Sequence, residues 1–142
     1  MTPQQIALVQ ESFRAVVPIR TAAAALFYEN LFARDRAIDA MFTGSDLSAQ
    51  GAKLMTALAM VVQGLTRLDE LLPTVQALGR RHVGYGVIDA QYETVGAALL
   101  DTLAAGLGPA FTPATRDAWR AAYGLLSGVM IEAARAHRRA AA

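Results

Sequence analysis

Apolar residues recur at intervals of three and four along nearly the whole chain, and no stretch alternates with period two. That pattern predicts helices and no sheet. Ile6, Val9, Phe13 and Val16 or Val17 share one face of a first helix. Thr2, Pro3 and Gln5 open it as cap, first-turn proline and capping-box partner. Pro18 ends it or bends the chain into a second helix, roughly Ile19 to Ala33. A short element runs through Met41-Phe42, and Thr43-Gly44-Ser45-Asp46 makes a turn and a cap. A longer helix, Leu47 to Leu65, carries Gln50, Leu54, Ala57, Leu58, Val61 and Leu65 on one face.

Asp69 to Leu72, then Pro73, opens the next helix, which aligns Leu71, Val75, Leu78, His82 and Tyr85 and closes at Gly84 and Gly86. Asp89 is expected to cap a helix with Tyr92, Val95, Leu99 and Leu103 in line, ending at Gly106-Leu107-Gly108. Thr112-Pro113 repeats the Thr2-Pro3 start. The last helix carries Trp119, Tyr123, Leu126 and Met130, and the tail from His137 onward is expected to fray. The reading is all-α: six substantial helices and short turns in one domain over residues 1–142.

Composition narrows the function. Hydrophobic residues make up 54% of the chain and charged residues 18%, an apolar excess that leaves room for a bound group besides the core itself. Thirteen basic against twelve acidic residues give a net charge of +1, which offers no reason to expect a nucleic-acid partner. The lack of cysteine removes disulfides, zinc fingers, iron–sulfur clusters, thiolate nucleophiles and covalent haem attachment. The N-terminus has neither a basic start nor a long apolar run, so no signal peptide is expected. The longest apolar runs, Ala22–Phe27 and Ala57–Val62, fall far short of a bilayer span. A cytoplasmic protein without a membrane partner is the expectation.

Nucleophile and phosphate-loop motifs are absent. The acid pairs Asp35 with Asp39 and Asp69 with Glu70 sit near helix ends, where capping and solvation explain them. Three polar residues interrupt apolar stripes: His82, Gln50 and Tyr28. Taken alone, His82 reads first as a core histidine bonded to a backbone carbonyl and second as a ligand. Gln50 and Tyr28 likewise read first as groups satisfied by their neighbours. Zinc needs three or four ligands, and the chain has two histidines, one of them in the tail. A single axial histidine suffices only when a macrocycle supplies the other four ligands, and haem fits that arithmetic.

Six segments then carry a resemblance. They are Phe27-Tyr28-Glu29-Asn30-Leu31-Phe32, Met41-Phe42, Gln50-Gly51-Ala52-Lys53-Leu54-Met55, Leu78-Gly79-Arg80-Arg81-His82 with Tyr85-Gly86-Val87, Gln91-Tyr92-Glu93-Thr94-Val95-Gly96, and Trp119-Arg120-Ala121-Ala122-Tyr123-Gly124. In this order and spacing the chain resembles the bacterial single-domain globins, the group related to flavohaemoglobin haem domains and to neuroglobin. The likeness runs from about residue 3 to 134.

The resemblance implies the globin fold around a haem b pocket. It makes His82 the proximal iron ligand, with its other ring nitrogen donating to a backbone carbonyl. Tyr28 and Gln50 become distal hydrogen-bond donors, and Leu54 and Phe42 wall the pocket. Val87, Val95 and Met130 become apolar haem contacts. Lys53 and Arg81 stand as cations for the haem propionates. Tyr92 matches a tyrosine that supports the proximal histidine in flavohaemoglobins, together with a glutamate on the last helix. That glutamate's place falls at Ala134. Glu132 lies two positions early, a rotation of about 200° around the helix, so it is expected to face away.

The implied function is reversible binding of dioxygen, for storage, delivery or sensing, with nitric oxide and carbon monoxide as other diatomic ligands. The alternative is nitric oxide dioxygenation served by an external reductase, since no flavin or nicotinamide domain is expected within 142 residues. A third reading is a haem-free helical interaction module.

Overall fold

Thr2 starts the first helix with the expected reciprocal cap. In the computed structural model, which describes residues 1–141, its hydroxyl accepts from the Gln5 N–H at 3.1 Å and its own N–H donates to the Gln5 side chain at 3.0 Å. Helix α1 spans Pro3–Val16, and a single 3-10 turn at Val17–Ile19 carries Pro18. Helix α2 follows at Arg20–Arg34, and the short α3 at Arg36–Met41 is capped by Asp35. Helix α4, Leu47–Gly64, is capped by Asp46, which accepts from the Ser48 and Ala49 N–H groups. Helices α5, Leu68–Gly84, α6, Asp89–Leu107, and α7, Pro113–Ala141, complete the chain, with a 3-10 turn at Gly108–Ala110. No strand occurs among the described residues. The six long helices match the expected all-α architecture.

Four local expectations need correction. Helix α5 begins at Leu68, and Pro73 lies inside its second turn, where it forgoes one bond to the Asp69 carbonyl. Tyr85 does not continue the apolar stripe of α5. It sits at the helix exit, 63% exposed, because the backbone has already turned. Asp89 does not cap α6. Ile88 holds that position and its N–H donates to the Gln91 side chain at 3.0 Å, while the Asp89 carboxylate turns to Arg135 and Arg138. Those two arginines also explain why α7 stays helical through Ala141 instead of fraying at His137. Ala142 lies outside the described residues.

The buried residues form two clusters rather than one. The larger joins α1, α2, α3, α4, α6 and the first half of α7, with Val9, Phe13, Phe27, Tyr28, Leu31, Leu65 and Trp119 among its members. The smaller gathers Val61, Leu71, Val75, Tyr92 and Met130, with Leu78 and Val87 packed against it. Helix α5 packs along α7 and makes little contact with α4. Helical glycines allow close approaches, two of them between helix pairs that flank the site. A Cβ at Gly79 would stand 2.5 Å from the Met130 carbonyl oxygen, so only glycine lets α5 approach the α7 backbone this closely. A Cβ at Gly51 would stand 2.9 Å from the Ala24 methyl, where α4 crosses α2. No helix among the described residues is long and apolar enough to cross a membrane.

Candidate functional site

Helix α5 places His82 in its last turn, half-buried. Its Nδ1 lies 2.7 Å from the Leu78 carbonyl oxygen, one turn back. A carbonyl only accepts, so this nitrogen carries the proton and Nε2 keeps its lone pair. Burial is the main force holding the imidazole pKa below its ordinary value. The Leu78 hydrogen bond pulls it upward, and the neighbouring Arg81 charge lowers it further. The ring is therefore a neutral donor of one lone pair at pH 7, which is the form a metal requires. No group of three or more histidine, cysteine or acidic residues that could hold a bare metal ion exists among the described residues.

On the other side, α2 buries Tyr28 in an aromatic cage. Its ring centroid lies 5.2 Å from Phe27, 5.8 Å from Phe32 and 5.5 Å from Phe42. Burial raises the phenol pKa with no hydrogen bond contributing, so the hydroxyl remains protonated and able to donate. Gln50 and Leu54 lie one turn apart on α4, both half-buried, and Leu54 packs against the larger cluster. Phe42, at the exit of α3, is also half-buried against that cluster, as is Val95 on α6.

Val87, Tyr92 and Met130 gather with the smaller cluster, and the Tyr92 ring stands 6.3 Å from that of His82. Lys53 and Arg81 are exposed. The predicted apolar and aromatic residues thus divide by cluster, with Tyr28, Phe42, Leu54 and Val95 in the larger and Val87, Tyr92 and Met130 in the smaller. Ala134 is buried at 1% exposure while Glu132 is exposed, as the helix rotation requires. No carboxylate reaches Tyr92 to accept from it, and its hydroxyl is buried without any hydrogen-bond partner.

These residues fit a haem. Five apolar side chains packed against the two clusters, Phe42, Leu54, Leu78, Val87 and Val95, are only half-buried by protein. One imidazole offers one free lone pair. The core is divided into two apolar clusters.

Three contacts between distant elements leave no signal in the local sequence. Gln91 is buried, and besides accepting from Ile88 it reaches the Met41 sulfur at 3.6 Å, tying α6 to the end of α3. The Tyr123 hydroxyl donates to the Tyr92 carbonyl, and its ring packs against the larger cluster, so this side chain staples the two clusters. Arg138 donates to the Val87 carbonyl at 3.0 Å. Gly51 and Gly79 were findable, because an isolated glycine inside a helical stripe asks for a packing reason.

Seven helices enclosing a divided apolar core, with a buried phenol on one side and a single inward imidazole on the other, define the globin fold. The family model for globins matches residues 25–130, and the chain belongs to the globin family, whose members bind haem. Among solved structures it is similar to a bacterial globin from Campylobacter jejuni, with a TM-score of 0.82 and 24% identity over 94% of this chain and 96% of that one. A protein from an anhydrobiotic tardigrade, described as a hexacoordinated heme protein, superposes with a TM-score of 0.87 at 16% identity over 95% of this chain and 96% of that one.

Proposed function

We propose that this chain holds haem b with His82 as its one protein ligand and binds dioxygen reversibly beneath Tyr28 and Gln50, for storage, delivery or sensing. The division of the core supports this reading most. On one side stands a buried phenol with no hydrogen bond holding it, and on the other an imidazole with one nitrogen engaged and one free. When bound, haem supplies a ferrous iron able to take a diatomic ligand.

The chain's own residues do the rest. His82 offers Nε2 because the Leu78 carbonyl holds Nδ1 and burial keeps the ring neutral. Phe42, Leu54, Val87, Val95 and Met130 wall the site and exclude water and protons, which slows oxidation of the iron. Lys53 and Arg81 are the exposed cations offered to the propionates. Tyr28 and Gln50 donate to whatever ligand gains negative charge on binding. Each such hydrogen bond contributes roughly 1–2 kcal/mol. Dioxygen gains that charge and carbon monoxide far less, so the expected signature is tight dioxygen binding with slow release. This reading takes residues 1–142 as one domain working in the cytoplasm, with neither nucleic acid nor membrane as partner.

Nitric oxide dioxygenation to nitrate, with an external reductase, uses the same two donors. The lack of a carboxylate beside Tyr92 weighs against the stronger proximal push of flavohaemoglobins. Ultraviolet–visible spectra of the ferric, ferrous and oxygenated forms test the main reading. A Soret band that shifts with dioxygen and returns on its removal is expected. If protein expressed with adequate haem shows no Soret band, the haem reading is wrong and a helical interaction module takes its place. Sustained, multiple-turnover consumption of nitric oxide with a generic reductase would establish the enzyme instead.

A further inference from the structure

The link between the ligand-bearing helix and α6, residues 85–88, gains little from burial. Two of its three side chains face solvent, Tyr85 at 63% and Ile88 at 57% exposure. Gly86 turns the chain with a φ of +84°, and the Val87 N–H donates to the His82 carbonyl at 3.1 Å. What holds the far side of this link is the end of α7. Arg138 donates through Nη2 to the Val87 carbonyl at 3.0 Å and through Nη1 to Asp89 at 3.3 Å, so its planar fork spans both ends of the turn. Arg135 reaches only the second oxygen of Asp89, at 2.9 Å, and is the more exposed of the two, 60% against 38%.

Val87 is therefore gripped twice, by His82 through its N–H and by Arg138 through its carbonyl. We infer that Arg138 is a positioning residue of the proximal side: it fixes the Val87 turn, through that turn the last residue of α5 that matters for the iron, and so the retention of haem. The inference rests on the haem reading above. Arg135 serves only as a brace on Asp89.

The test uses the full chain reconstituted with haem, comparing wild type, Arg138→Ala, Arg138→Lys and Arg135→Ala. Two quantities are read: the rate of haem transfer to an excess of apomyoglobin, and the iron–histidine stretching band of the ferrous form by resonance Raman. A merely structural arginine would not move the second. Arg138→Ala is expected to lose haem about tenfold faster and to shift or broaden the band. Arg138→Lys keeps the charge without the fork and should fall between it and wild type. Arg135→Ala should stay near wild type in both readings.

Wild-type rate and band in Arg138→Ala, or equal effects from Arg135→Ala, would overturn the inference. Should Arg138→Ala fail to fold, Arg138→Lys carries the same decision: an unchanged rate and band overturn it. A wild-type chain that takes up no haem fails at the first step, and that outcome overturns the haem reading itself.

Discussion

The helices around Tyr28 are held from several directions, whereas α5, which carries His82, leans on α7 almost alone. The contrast shows in the free space. Within the larger cluster lies an apolar cavity of about 20 Å³, next to Leu54 and Phe27. Beside the smaller cluster an open apolar groove of about 130 Å³ runs between α4, α5 and α7, and Leu68, Leu72 and Leu125 on its rim stay about 40% exposed. One is a finished core that buries a phenol. The other is a single helix whose position depends on a glycine crossing and a pinned turn. If the proposed function holds, distal chemistry is built on packing, and proximal chemistry on a few named contacts.

The sharpest way to break this contrast is to remove the one side chain on which the proximal half depends. His82→Ala should abolish stable haem binding, read as loss of the Soret band. Retained six-coordinate haem would contradict the assignment. Next come the two glycines. At Gly79 an added methyl meets main chain that cannot swing aside. We expect a clash of about 3 kcal/mol, against about 1 kcal/mol gained in helix propensity, so Gly79→Ala should destabilise by about 2 kcal/mol in denaturant titration. Gly51→Ala meets only the Ala24 methyl and should cost less than half of that. Equal effects would erase the proposed difference between the two sides.

Tyr28→Phe sharpens the comparison from the distal side. It should speed dioxygen release by about tenfold, matching the loss of one hydrogen bond, and leave haem retention unchanged. Stopped-flow release kinetics decide it.

The smallest effect lies in the pinned turn. Hydrogen bonding to Arg135 comes first among the causes that hold the Asp89 carboxyl below the ordinary carboxylate pKa. A depressed pKa contributes stability that is complete above the ordinary carboxylate range and is lost as pH falls through and below it. Wild type should therefore exceed Asp89→Asn in stability near neutral pH, and the gap should close in acid. A gap that persists in acid would mean that the carboxylate's charge is not what holds the turn.

Periodicity alone made the helices legible, because each apolar stripe is a local property of its own sequence. The caps at Thr2, Asp46 and Thr112 were legible for the same reason: their partners lie two or three residues away. His82, Tyr28 and Gln50 stood out as polar breaks in those stripes, though only the resemblance to globins gave them roles. What stayed hidden is non-local. The bond from Arg138 to Val87 spans 51 residues, and nothing in the arginine's surroundings marks it off from Arg139. Asp89 was misread because a cap and a salt-bridge partner look alike at a helix start. Tyr85 was misread because spacing does not reveal where a chain leaves the helix.

The seam between the two clusters also bears on how long the protein lasts. A helix with one neighbour opens locally at lower free energy than one packed on all sides. A group that binds only the folded form closes it again by mass action. Arg80 and Arg81 lie exposed on α5, where a trypsin-like protease would cut once the helix loosens. The cofactor-free protein would then be cleared first, and the amount surviving would follow haem supply with no dedicated control.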